Sequence, residues 1–170
     1  MGSEILFSEK QRFKQWWLWL ILLSITGLLL FGVVKQVVYG EQFGDKPMSN
    51  SGLLILTSIF LLFTFLFVVY RLDTIIKKEG IYVRFFPFHI KFKYYSWGML
   101  NKSYIRKYSA VNEYGGWGLT FGIYGNGPAF NVSGDMGLQL EFANNKKLLI
   151  GTNKPDELKL ILNEMGQLKQ

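Results

Sequence analysis

Two long runs without a charged residue constrain this chain more than anything else in it. Trp16 to Val34 reads WWLWLILLSITGLLLFGVV and Gly52 to Tyr70 reads GLLILTSIFLLFTFLFVVY, 19 residues each. A helix rises about 1.5 Å per residue, so each run nearly matches a hydrocarbon core about 30 Å thick. Trp16, Trp17, Trp19, Tyr39 and Tyr70 stand near the ends of the runs, where interfacial aromatics belong. Lys35 is placed to snorkel toward the headgroups. A signal peptide would have a shorter apolar region followed by small residues and a cleavage site. Here the apolar run continues through Phe31, Val33 and Val37. A core helix of a soluble domain would show polar positions every few residues, whereas Leu53 to Tyr70 offers only Thr57, Ser58 and Thr64. We therefore expect a transmembrane hairpin over residues 16–71, with spans at about 16–38 and 52–70.

Flanking charge orients such a hairpin. Lys10, Arg12 and Lys14 precede the first span, and Arg71, Lys77, Lys78 and Arg84 follow the second. The intervening loop, Val38 to Ser51, holds Lys46 alone against Glu41 and Asp45. Both termini are thus expected on the cytoplasmic side, residues 1–15 as a short segment and residues 72–170 as a domain. Neither span carries an internal ionisable residue, and proton relays and ion pathways usually need one. Transport by this chain alone is not expected. Ser24, Thr26, Gly27 and Gly32 offer a small-residue face on the first span, but the Gly27/Gly32 spacing is not Gly-x-x-x-Gly.

The net charge of +7 is concentrated just after the second span. Arg71 to Lys107 holds nine basic residues against Asp73 and Glu79, while Tyr108 to Gln170 holds five basic and six acidic. Lys77, Lys78, Arg84, Lys91, Lys93, Lys102, Arg106 and Lys107 are the candidates for anionic-lipid contact. A nearby anionic membrane is a simpler partner for them than nucleic acid. The same residues also read as the topology signal plus a solvated strand face. With no cysteine and His89 as the single histidine, the chain lacks the side chains for a disulfide, a thiolate nucleophile or a Cys/His metal site. Neither metal nor cofactor is expected.

Downstream of the spans the apolar pattern switches to period two. Gly80–Phe86, His89–Tyr95, Ser103–Tyr108, Trp117–Tyr124, Ala129–Val132, Leu138–Phe142 and Lys147–Ile150 read as strands, with turns at Pro87, Gly125-Asn126-Gly127, Ser133–Gly137 and Asn144-Asn145. Leu158, Ile161, Leu162 and Met165 then recur at helical spacing, with Thr152 or Asn153 as cap, Pro155 in the first turn and Gly166 beyond the end.

About seven strands and a C-terminal helix is the order of a pleckstrin-homology-like (PH-like) barrel. Lys77-Lys78-Glu79-Gly80-Ile81-Tyr82-Val83-Arg84 resembles the opening hairpin of small bacterial membrane proteins with such a domain. Tyr95-Ser96-Trp97-Gly98-Met99-Leu100 is similar to their tryptophan-containing turn, and Leu149-Ile150-Gly151-Thr152 with Pro155-Asp156-Glu157-Leu158 to their last strand and helix start. The resemblance covers roughly Asp73 to Leu168. It implies a β-barrel with a capping helix, used for lipid or protein contact and not usually for catalysis. Arg84 lacks the closely spaced basic partner of phosphoinositide-binding members.

Nucleophile-elbow, Walker and dinucleotide glycine patterns are absent. Glu113 and Asp135 could pair in space, though nothing in their spacing requires it, and His89 reads as a solvent-facing structural residue. An enzyme is not expected. The segment Glu113-Tyr114-Gly115-Gly116-Trp117-Gly118 stands out, because a large aromatic sits among glycines that permit positive φ. Trp117 is either a plug for the barrel core or, with Glu113 and Tyr114, part of an exposed interaction loop. The plug is the reading preferred here. The functional expectation is a non-catalytic protein that docks a protein partner, its own copies or anionic lipid at the cytoplasmic membrane face. The alternative is a subunit or regulator of a larger membrane complex that works through its spans.

Overall fold

The computed structural model describes residues 4–122 and 125–169. They divide into two compact units, one of residues 14–69 and one that joins residues 4–13 to residues 70–169.

The first unit is the helical hairpin. Helix α1 covers Trp16–Val33 and runs on through a π-helical turn at Val34–Val38, and α2 covers Asn50–Val69. Both are long and apolar enough to cross a membrane. Most of their apolar side chains are exposed, Leu20, Leu23, Leu28, Ile55, Ile59 and Leu62 among them. A core helix of a soluble protein would cover such residues. The helices meet through Leu22 and Thr26 on α1 and Leu53, Thr57 and Thr64 on α2, all buried. Thr26 and Thr64 lie with their hydroxyls 3.2 Å apart, and Thr26 also donates to the Leu22 carbonyl at 2.6 Å. In an apolar medium that donation keeps the hydroxyl satisfied within its own helix. Of the small-residue face, Thr26 and Gly32 are buried, whereas Ser24 and Gly27 are exposed. A side chain at Gly32 would meet the Phe43 ring at 2.7 Å.

The second unit is built on two open sheets, not on the closed barrel that the resemblance implies, because among the described residues no strand pairs one sheet with the other. In the first, strands β1 (Ile5–Arg12), β2 (Arg71–Lys77), β3 (Gly80–Phe86) and β4 (Lys93–Ser96) lie in chain order, all antiparallel. The second contains β5 (Leu100–Lys107), β6 (Gly118–Phe121), β7 (Pro128–Asn131), β8 (Met136–Phe142) and β9 (Lys147–Gly151), in the order β5-β8-β9-β7-β6. Its pairs are antiparallel except β7 with β9, where Ala129 and Phe130 run parallel to Leu149 and Ile150. Helix α3 (Ala110–Tyr114) stands between β5 and β6, and α4 (Pro155–Glu164) follows β9 and packs on β1, β5 and β8. Leu72, Ile76, Ile81 and Phe85 of the first sheet, Leu138, Leu140 and Leu149 of the second, and Leu158 and Leu162 of α4 form a core at 1% exposure or less. At about 25 cal/mol per Å² this apolar burial is the main force holding the sheets and helix together.

Strand β1 is the largest departure from the sequence reading, which gave residues 1–15 no part in the domain. Arg12 pairs with Arg71, Lys10 with Asp73 and Ser8 with Ile75, so the hairpin is an insertion between two neighbouring strands. The His89–Tyr95 strand is shorter than its pattern, because the backbone N–H of His89 turns back to the Phe85 carbonyl at 2.8 Å and pairing starts only at Lys93. The Trp117–Tyr124 strand is observed from Gly118 to Phe121, and its last two residues lie outside the described residues.

Two of the sequence motifs meet. Gly80 pairs with Ser96, and a Cβ there would stand 2.3 Å from the Tyr95 carbonyl oxygen, so only glycine fits. The indole of Trp97, 6% exposed, donates to the Lys77 carbonyl at 3.2 Å and locks the two turns together.

Candidate functional site

The eight basic candidates do not form one strip. Asp73, 4% exposed, accepts from Arg84 Nη2 at 2.7 Å and Nε at 3.0 Å, and from Arg71 Nε at 3.0 Å. Arg84 also stacks 4.5 Å from the Phe92 ring centre. Arg106 Nη2 lies 2.7 Å from Glu113 and 3.0 Å from the Tyr114 hydroxyl, and its Nε donates to Gln139 at 3.0 Å. Both arginines are therefore committed to internal carboxylates, where removing one partner strands the other charge. Lys78 faces Glu4 and Lys107 faces Asp135 in exposed pairs, which contribute little to stability. Lys77 covers the Tyr82 ring at 5.1 Å. Lys91 and Lys102 are exposed, and among the described residues neither forms an ion pair. Glu113 and Asp135 are thus each taken by a different cation of β5.

The glycine-rich segment also sorts differently from expectation. Ser109 caps α3 by accepting from the Asn112 N–H at 3.3 Å, and Glu113 Oε1 accepts from the Ser109 N–H at 2.8 Å, a reciprocal pair like a capping box with its carboxylate one position later. The Arg106 guanidinium holds the Glu113 carboxyl below the usual carboxylate range, against a smaller opposing effect of burial. Gly115 at φ 74° ends the helix in the left-handed region. Tyr114, 2% exposed, packs with Tyr108, Ala110, Ala129 and Leu149. Burial in that cluster pushes the Tyr108 hydroxyl up to about 12. Trp117 is 38% exposed. The plug is therefore Tyr114, and the preferred reading of Trp117 as a core plug is corrected. A tryptophan between Gly116 (φ 142°) and Gly118 (φ 124°) is carried past the core by backbone that only glycine adopts freely.

Two surfaces remain with features that folding does not use up. The first surrounds the points where the chain leaves this unit. Phe13 and Tyr70 lie 6.2 Å apart by ring centres, Tyr70 lies 5.5 Å from Phe88, and Phe88 lies 6.1 Å from Phe85. Beside them the β3–β4 loop exposes 56% of Phe88 and 76% of Ile90, with Lys91 next to them. The sequence marks Lys91 by its charge but not the apolar pair, since Ile90 falls within the expected His89–Tyr95 strand and Phe88 just before it.

The second surface is a groove of about 750 Å³ between β4, β6, β7 and the β8–β9 turn. Tyr95, Phe130, Phe142 and Leu148 form its apolar wall, and Lys93, Lys146 and Lys147 add positive charge. The Lys93 ammonium lies 5.5 Å from the Phe130 ring centre, and the Tyr95 and Phe142 rings are 5.5 Å apart. His89 enters from the β3–β4 loop with its ring 5.2 Å from Phe130, and its Nδ1 accepts from the Phe85 N–H at 3.3 Å. Burial, then the nearby Lys93 charge, pulls the imidazole below its usual range, so at neutral pH the ring is uncharged. With Nδ1 accepting, its proton sits on Nε2. No sequence signal marks this groove, because its walls come from five separated segments. Among the described residues no cluster of metal-ligating side chains occurs.

Comparison of the chain with protein families, with curated proteins and with solved structures gives no match.

Proposed function

We propose that this chain is a non-catalytic docking protein of the membrane, with a PH-like domain held at the cytoplasmic face by the inserted hairpin. The observation that carries this reading is the β1–β2 ladder. Arg12 and Arg71 are paired partners, α1 begins at Trp16 and α2 ends at Val69. Neighbouring strands of one sheet occupy one side of a bilayer, since open strands are not tolerated inside it. The chain therefore crosses an even number of times, and the basic flanks select the cytoplasmic side.

The strand order supports the PH-like part. With the β6–β7 hairpin set aside, four antiparallel strands are followed by the β5-β8-β9 sheet and a C-terminal helix packed across both. In that description the membrane hairpin occupies the first strand-to-strand connection. Phe88 beside Tyr70, with the exposed Ile90 and Lys91 of the same loop, supplies the aromatic, apolar and cationic groups that anionic headgroups retain at an interface. The docked partner is anionic lipid or a protein.

Topology is the decisive test, and the absence of cysteine leaves a clean background. Gln42→Cys, in the loop between α1 and α2, should react with an impermeant maleimide in intact cells. Lys159→Cys on α4 should react only after lysis. Labelling of both in intact cells, or the reverse pattern, would remove the cytoplasmic assignment.

A further inference from the structure

Unpaired sheet edges are binding-competent backbone, and folded proteins usually cover them. Four strands here are edges, and they are treated differently. Strand β5 is closed by the C-terminal tail, where Ser103 and Lys169 exchange N–H to carbonyl bonds of 2.9 Å in both directions. Strand β1 is anchored by its side chains to the end of β9 and the turn after it: Gln11 donates to the Gly151 carbonyl at 2.7 Å, and Glu9 accepts from Thr152 and from the Asn153 N–H. Strands β4 and β6 have no such cover among the described residues, and both border the groove.

The lining residues show how the groove meets these strands. Successive side chains of a strand point to opposite faces. Yet Lys93, Tyr94 and Tyr95 all line the groove, while β3, the one partner of β4, contributes none of its residues. A cavity that touches consecutive residues from both faces meets the strand along its free edge. On the other side, β7 contributes only the alternate residues Pro128 and Phe130, the mark of a sheet face. The groove thus lies between the open edges of β4 and β6, over the apolar face of β7. Thr120 Oγ1, a buried hydroxyl with no hydrogen-bond partner, belongs to its wall. The lining includes three lysines and no carboxylate.

We propose that this groove takes an extended segment of a partner protein as an added strand on β4, with apolar side chains at alternate positions against Phe130 and Phe142 and acidic side chains toward Lys93, Lys146 and Lys147. The inference rests on the docking reading above and names what is docked. An acyl chain would fill the apolar wall but would leave the β4 N–H and carbonyl groups without partners. A peptide backbone satisfies them and sets its register by alternation. Four residues of β4 admit a paired segment about 13 Å long.

The test uses the full chain in phosphatidylcholine nanodiscs, panned against a library of random displayed octapeptides. Enriched peptides should alternate apolar and acidic residues. A synthetic copy of the best one should lose about tenfold in affinity when Lys146 and Lys147, both in the exposed β8–β9 turn, are changed to Glu. N-methylation of its alternate backbone amides should weaken it by a similar factor in one register and not in the other. Amide exchange at Tyr94–Ser96 should slow when it binds. Failure to enrich any sequence, indifference to Lys146→Glu with Lys147→Glu, or indifference to N-methylation would each overturn the proposal. So would slowed exchange at β4 on adding phosphatidylglycerol in place of peptide, which would make the groove a lipid site. None of these outcomes alters the maleimide pattern, so failure here is separable from failure of the membrane assignment.

Discussion

Glu9 and Gln11 explain why an entire strand escaped its pattern. Both are buried, at 7% and 3% exposure, on the same face of β1 as Phe7. Glu9 accepts from Thr152 Oγ1 at 2.6 Å and from the Asn153 N–H at 2.8 Å, which leaves its carboxylate well satisfied. Thr152 or Asn153 is the expected cap of α4, but the N-cap is Lys154, and Thr152 and Asn153 both bond Glu9 of β1. A similar exchange of roles occurs between Tyr114 and Trp117. Tyr114→Ala should destabilise the protein by about 3–5 kcal/mol, the range for a fully buried aromatic. Tyr114→Phe should cost about 1 kcal/mol through the lost Arg106 hydrogen bond. Trp117→Ala should cost about 1 kcal/mol or less. Circular-dichroism melts of the three variants in micelles decide the order, and a Trp117→Ala loss as large as that of Tyr114→Ala would restore the plug.

At the scale of elements, the hairpin and the sheets are separable by chain topology. The strands that bracket the hairpin are paired at Arg12 and Arg71, so a tight turn can replace everything between them. A chain in which Phe13 is joined to Tyr70 through a short Asn-Gly turn should be soluble, β-rich and cooperative on heating. Residues 70–170 alone should not, because the outer edge of β2 and the Leu72 and Ile76 side chains lose their cover of β1. Equal melting curves for the two would show that β1 adds nothing to the unit. The sequence made most of the later elements legible: α4 and the strands from β5 to β9 lie close to their patterns, since alternation and helical spacing are local properties. The pattern does not show β1, with two polar residues on its buried face, nor β2 and the short α3, and it starts β4 too early because a backbone turn at His89 delays the pairing.

For the molecule as a whole, the docking proposal predicts that the surface around the exits at Phe13 and Tyr70 meets the headgroups. The Asn-Gly joined chain described above allows it to be measured without the helices. It should partition onto phosphatidylglycerol vesicles at low salt and leave them as salt rises, because screening shortens from about 10 Å at 0.1 M to about 3 Å at 1 M. Phe88→Ser with Ile90→Ser should weaken partition by about tenfold through lost apolar contact. Lys102→Glu, on β5 of the other sheet, should have a smaller effect than Lys91→Glu beside Ile90. Vesicle binding that is indifferent to Phe88 and Ile90 would remove this loop from the interface.

The amino-acid sequence by itself determined the two apolar helices, the excess of positive charge behind them, the alternating strands downstream and the closing amphipathic helix. Each of these is set by residues near one another in the chain, through helix length, period and turn chemistry. It also exposed Gly80 and Trp97 as turn residues, though not that they meet. The tertiary structure alone decided that β1 completes the first sheet, that Arg84 and Arg106 belong to internal carboxylates, that Tyr114 rather than Trp117 fills the core, and that β4 keeps an open edge over Phe130. Those outcomes depend on partners between 7 and 144 positions apart, such as Arg106 with Glu113 and Glu9 with Asn153. Whether a given lysine is solvated or an edge is covered follows from which strands lie side by side, and that is settled only when the whole core packs.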